Sequence, residues 1–323
     1  MSIKLKTKRN FFLILVIFFL LVSIAVNPSA YITSCFNGIL VWATVVLPAL
    51  LPFIFFTKTL TALGIDKIIG EQFKLFPKIF KVPAVGMYVF VMSILSGYPV
   101  GAKIVADLYE SGSLTKEEAY RLTTFTSNSG PMFILGSVGI GMLHSQKLGL
   151  IILFAHILGA LTNGLIYRNH KEKSINLKNI TPEKNNFSIG ELMWNTVQSV
   201  LIIGGFIALF FVIIEAFNSL NIFSSVSYFL EKFTKIPAGI FNAIFCGLLE
   251  ITHGCLDIAA LGLSDFASGM LACGIISFGG FATILQALVF LKKFDMRISF
   301  FIKQKITHAI FSLLWCAPLL IIF

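Results

Sequence analysis

The chain has 323 residues, 57% hydrophobic and only 12% charged, with a formal charge of +10 and a mean hydropathy of +0.89. That composition excludes a soluble globular domain and defines a polytopic membrane protein with short loops. Nor does the positive charge indicate nucleic acid: the cations sit in short clusters between apolar runs, as topogenic loop charges do, and no basic face is interleaved with aromatics.

The first apolar run, 11–27, follows Lys4, Lys6, Lys8 and Arg9. It is read as a retained signal-anchor helix, with cleavage near Ser29-Ala30 as the alternative. An uncharged loop over 27–37 and a span over 38–57 come next. The further predicted segments are 84–96 with 100–110, 122–143, 148–167, 192–217, 237–250 with 254–264, 268–290 and 306–323. At about 20 apolar residues per crossing, the length holds about eight or nine full spans.

Two segments are interrupted by polar, Gly/Pro-bearing runs. These are Ser96-Gly97-Tyr98-Pro99-Val100-Gly101-Ala102-Lys103 and Glu250-Ile251-Thr252-His253-Gly254-Cys255-Leu256-Asp257. Backbone that leaves the helix inside a bilayer is tolerated only where protein buries it or water reaches it. Paired interruptions in two halves of a chain point to a transporter's binding site.

Loop charge decides how these segments run. With a cytoplasmic N-terminus, Lys58, Lys67, Lys74, Lys78 and Lys81 fall inside. Reading 84–110 as a re-entrant hairpin then places Arg168, Lys171, Lys173, Lys178 and Lys184 inside as well, and one full crossing would put them outside. A second hairpin over 237–264 similarly delivers Lys292, Lys293, Arg297, Lys303 and Lys305 to the cytoplasm; Lys232 and Lys235 dissent. Lys81-Val82-Pro83-Ala84 resembles Lys235-Ile236-Pro237-Ala238, and Ser129–Leu135 loosely matches Phe278–Ile284. The expected fold is therefore an all-α inverted repeat with two re-entrant helical hairpins and interrupted transmembrane helices. Its parts are an N-terminal anchor and outer loop (1–37), a first repeat (38–167), a basic cytoplasmic linker (168–191) and a second repeat (192–323).

The first hairpin tip offers Ser96, Gly97, Tyr98, Pro99 and Lys103 as solute contacts, beside a helix N-terminus that attracts anions. Lys103 needs a partner within the membrane, either Asp107 one turn on or an anionic solute; headgroup snorkelling is the structural alternative. Thr123, Thr124, Thr126, Ser127, Asn128 and Ser129, followed by Gly130-Pro131, form the densest polar strip in an apolar segment and suit an unwound, cavity-lining helix. In the second half Glu250, Thr252, His253 and Asp257 cluster at the break, as solute contacts, a proton relay or a self-satisfied carboxylate–imidazole pair. Gly279 and Gly280 mark a second unwound helix over Ser277–Gln286. Glu215 reads as interfacial, and His156 with Asn163 as helix packing. Five single cysteines without a C-x-x-C indicate neither a metal site nor disulfides. No Walker loop, dinucleotide fingerprint or H-E-x-x-H occurs, so neither catalysis nor a cofactor is expected.

At Ser96–Lys103 and at Thr126-Ser127-Asn128-Ser129-Gly130-Pro131-Met132-Phe133-Ile134-Leu135-Gly136, the sequence resembles the sporulation integral membrane proteins of the YlbJ (SpoVV) type. Gly247-Leu248-Leu249-Glu250-Ile251-Thr252-His253-Gly254 looks like that family's second signature. The likeness runs from about residue 38 to the end. That family belongs to the nucleoside-recognition, or Gate, proteins, whose repeats are similar to those of concentrative nucleoside transporters. The resemblance implies an endospore former and movement of dipicolinic acid from the mother cell across the outer forespore membrane. Dipicolinate is a flat aromatic dianion, which suits Lys103 and helix N-termini, with Tyr98 or Phe133 for stacking; Glu250 and Asp257 would repel it unless protonated or paired. A nucleoside-type transporter, a non-transporting assembly or signalling protein, and a membrane enzyme using Glu250 and His253 are the rival expectations. Membrane lipids are the expected surroundings, and the sequence leaves a homo-oligomer and coupling to H+ or Na+ open.

Overall fold

The computed structural model describes residues 7–63, 75–172 and 188–323; among these the regular structure is entirely helical. Lys4, Lys6, Lys67, Lys74, Lys173, Lys178 and Lys184, used above for orientation, lie outside the described residues. Helix α1 (Thr7–Val26) is followed at once by α2 (Pro28–Val41), whose first turn holds Pro28, where a missing N–H costs nothing. The stretch 27–37 is therefore helix rather than the expected loop, and its Ile32 and Phe36 are exposed as lipid-facing side chains are. A π-helical turn, Trp42–Val46, joins α2 to α3 (Leu47–Ala62). The wider turn immediately precedes Pro48, which has no N–H to give to the preceding turn. Trp42 stands over Gly204 of α9 (Ile189–Ser219) and donates from Nε1 to Val200 O at 3.1 Å.

Among the described residues, five stretches are long and apolar enough to cross a membrane: Pro28–Leu60, Gln146–Tyr167, Ile189–Ser219, Asp265–Phe294 and Ile298–Ile322. The sequence suggested about eight or nine. Apart from α1, apolar over Ile14–Val26, the difference lies where the chain breaks. Helix α4 (Leu75–Phe80) leads into α5 (Val85–Ser96), which stops at Gly97; α6 (Val100–Glu110) then folds back beside it, so that Gly101 faces Ser93 and the carbonyl of Thr126. After α7 (Lys116–Thr123) the predicted span over 122–143 is an irregular strip and then a π-helix, Phe133–Met142.

A second segment also folds back on itself. Helices α11 (Ala238–Leu249) and α12 (Ile251–Ala260) are separated by the single extended residue Glu250, and they too fold back. An ideal Cβ on Gly254 would lie 2.2 Å from Gly247 Cα, so the legs touch backbone to backbone. Before them runs α10 (Ile222–Thr234), which the hydropathy reading missed because it is amphipathic. Its exposed Val226, Tyr228, Phe229 and Phe233, with Lys232, have the pattern of a helix lying in the membrane interface.

Helices α8 (Gln146–Tyr167), α13 (Asp265–Phe278) and α15 (Ile298–Ile322) pack side by side and relate the ends of the two folded-back segments. At one end Tyr167 meets Phe300 at 5.5 Å between ring centroids. There Arg297 pairs with Glu172 (2.7 Å) and Lys293 with Glu110 (2.6 Å), while Arg121 donates to Lys81 O (2.9 Å). Lys81 and Glu110, before and after the first folded-back segment, thus share one polar face. At the other end Gly269 sits against Leu148 and Leu320, and Gly239 against Leu261, which closes the second segment. The 22 residues of α8 put roughly 33 Å between these ends.

Candidate functional site

The two elbows meet at one cavity. Ser96, Gly97 and Tyr98 of the first and Glu250, Ile251 and Thr252 of the second line it, with Ser129, Gly130, Thr283 and Gln286. Leu50, Phe133, Ile203, Phe206 and Ile207 form its apolar wall. About 60 Å³ is open to the centres of water molecules, room for a few waters at roughly 10–15 Å³ each.

At the first elbow Gly97 has φ 67° and ψ −165°, a region essentially closed to side-chain-bearing residues. An ideal Cβ there would also lie 2.7 Å from Gly130 N, so the elbow rests directly on the irregular strip. The buried Ser96 Oγ, in the cavity wall, has no hydrogen-bond partner among the described residues, and neither does Ser127 Oγ or Asn128 Oδ1.

The strip keeps its open shape because neighbouring helices hold its polar groups. Asn128 Nδ2 donates to Phe125 O (2.8 Å) and Ser93 Oγ (3.1 Å). Ser129 N donates to His156 Nε2 (3.0 Å), which leaves the ring proton on Nδ1, 2.9 Å from Ser277 Oγ. Asn163 Nδ2 donates to Thr124 O at 2.7 Å. His156 and Asn163 are therefore braces.

Behind Tyr98 lies Lys305, read from sequence as a cytoplasmic loop charge. Helix α15 begins at Ile298, which places Lys305 about 10 Å along it at 1.5 Å per residue. The side chain is 1% exposed. Its Nζ donates to Ser127 O (2.9 Å) and to the Tyr98 hydroxyl, 4.7 Å from the Tyr98 ring centroid. No carboxylate among the described residues pairs with it. Hydropathy hid this residue because Arg297, Lys303 and Lys305 together look like a loop; the apolar Ile298–Ile302 between them was the available signal.

Glu250 is the second buried charge-bearing group at the cavity, 3% exposed. Its carboxylate accepts from His253 N at 2.8 Å and caps α12, serving the helix's orphan N–H groups. Gly279 (φ 93°) and Gly280 (φ 62°) break α13 from α14 (Gly280–Leu291). Gly279 lies against the Tyr98 hydroxyl and Lys305 Cε, and Gly280 against the carbonyls of Gly247 and Leu249. The double glycine is the wedge that lets both elbows approach α14.

Of the residues singled out from sequence, Ser96, Gly97, Tyr98, Ser129, Glu250 and Thr252 line the cavity. Ser127, Asn128, Gly279 and Gly280 stand directly behind it, and Pro99 starts α6. Lys103 is exposed, and Asp107, its expected partner, receives Lys293 Nζ at 3.4 Å instead. His253 faces away, its ring 4.5 Å from that of Phe211 and its Nδ1 3.1 Å from Asp257 Oδ2, in a separate vestibule with Glu215. Sequence reasoning missed Lys305 and Phe206 as parts of the site; Thr283 and Gln286 lie in the Ser277–Gln286 element expected to be unwound, which is helical on both sides of Gly279.

Broken helices that converge on a polar cavity inside an apolar bundle define a polytopic α-helical membrane protein with an internal site. The chain is 31% identical over 335 aligned residues to the sporulation integral membrane protein YlbJ of Bacillus subtilis (strain 168), covering 93% of this chain and 81% of that protein. It belongs to the YlbJ family of sporulation integral membrane proteins. No family model and no solved structure matches it.

Proposed function

We propose that this protein is a secondary transporter or facilitator for a small anionic aromatic solute, dipicolinate, which it passes from the mother cell across the outer forespore membrane. The observation that carries the reading is Lys305: a buried cation without a carboxylate partner among the described residues, backing the cavity where the two elbows meet. A lysine at mid-membrane costs roughly 2.5–3.5 kcal/mol and is retained where it serves function. A carboxylate arriving in the cavity supplies the missing counter-charge, Ser96 Oγ a free donor, and Tyr98, Phe133 and Phe206 flat apolar surface. Glu250 does not oppose this, because its carboxylate is engaged by the α12 N-terminus, and Asp257 is paired with His253 and does not line the cavity.

The folded-back segments are read as re-entrant hairpins of an inverted repeat (38–167 and 192–323), entering the membrane from opposite faces. The cavity admits only a few waters, so the elbows part to let a twelve-heavy-atom solute through. No covalent step is assigned. Uptake by proteoliposomes of the purified protein tests the reading. Labelled dipicolinate is expected to accumulate and to be displaced by unlabelled dipicolinate but not by uridine. Uridine uptake would assign the site to nucleosides, and uptake of neither would leave the assembly-protein reading standing.

A further inference from the structure

Cys246 lies on α11 one turn before the second elbow, and His253 and Asp257 lie one turn apart on α12. Folding the legs together brings a ligand atom of each (Sγ, a ring nitrogen and a carboxylate oxygen) within 4.8 Å of the others. Thiolate, imidazole and carboxylate together are the donor set of borderline divalent ions, Zn2+ above all. Ligands at 2.0–2.3 Å from one tetrahedral ion stand roughly 3.3–3.8 Å apart, so a closing of about 1 Å by side-chain rotation completes the triangle.

A second observation gives the ion a route. His253 of the triad faces a vestibule of about 470 Å³ that Ser34, Asn37, Phe211 and Glu215 also line. Cys246 is fully buried, whereas the His253 and Asp257 side chains are 21% and 30% exposed. A water entering from the vestibule can complete the coordination. We propose that Cys246, His253 and Asp257 form a Zn2+-type transition-metal site that clamps the two legs of the second folded-back segment. None of the three lines the central cavity, so the site stands independently of the solute.

Full-length protein, purified in detergent, stripped with chelator and titrated with Co2+, tests this. The thiolate-to-cobalt charge-transfer band and the visible bands of tetrahedral Co2+ are expected to saturate at one equivalent and to bleach on adding Zn2+. Cys246→Ser removes the charge-transfer band and Cys35→Ser leaves it unchanged. His253→Ala and Asp257→Asn weaken Co2+ binding at least about tenfold. No thiolate band in folded protein at a large excess of Co2+, or its survival in Cys246→Ser, overturns the site. Should Cys246→Ser not fold, His253→Ala decides, because it keeps the thiol: unchanged affinity there overturns the site equally.

Discussion

Replacing Lys305 with methionine is expected to cut dipicolinate accumulation in the developing spore at least about tenfold while leaving the protein folded and in the membrane. Methionine fills nearly the same volume without a buried charge, and removing an ammonium held, among the described residues, by a hydroxyl and a carbonyl relieves a desolvation cost. Thermal stability in detergent should be unchanged or higher. Transport loses a charge-assisted hydrogen bond to a carboxylate, about 1.5–3 kcal/mol, which corresponds to about a 10- to 150-fold drop in uptake. The rival role for Lys305, holding Tyr98 and the strip in place, makes the opposite forecast: lower stability, with full uptake per folded molecule. Lys103→Ala, at an exposed side chain with no partner among the described residues, is the control and should keep uptake within about twofold.

The second large effect is expected at the first elbow. Gly97→Ala puts a side chain where φ is 67° and ψ −165°, costing about 1–3 kcal/mol in backbone strain. It also drives a methyl to 2.7 Å from Gly130 N, where backbone cannot yield as a side-chain tip can; overpacking of this kind adds about 1–3 kcal/mol. A fall of several degrees in thermal midpoint, with poor membrane yield, is the expected outcome. Gly205→Ala, in a helix with nothing within 4 Å of the new methyl, should be silent. A Gly97→Ala protein as stable as its parent would mean that elbow and strip are not in contact.

Both elbows were legible in the sequence because their causes are local. Gly97 and Pro99 end and restart a helix by their own backbone chemistry, and a polar run from Glu250 stands out in an apolar background. The reading erred by placing the second break over 250–254. Glu250 alone leaves the helix, and because its carboxylate caps the next one, Thr252, His253 and Gly254 are already helical. What stayed hidden depends on contacts distant in sequence. Lys305 becomes a site residue only when Tyr98, 207 positions earlier, lies against it. Cys246 becomes a ligand candidate only once α12 folds onto α11. Helix α10 and the helical 27–37 escaped because hydropathy reports membrane crossing, not interfacial helix or an uncharged helix start.

The cavity between the elbows is tested most directly by solute protection of a cysteine at Ser96, the partnerless hydroxyl in its wall. In a cysteine-free background, the rate at which a small thiosulfonate modifies Ser96→Cys is measured in membrane vesicles, with and without dipicolinate. The expected result is slowing that saturates with dipicolinate and does not occur with uridine. A modification rate indifferent to saturating dipicolinate, in vesicles that still take it up, would contradict the assignment of solute to this cavity.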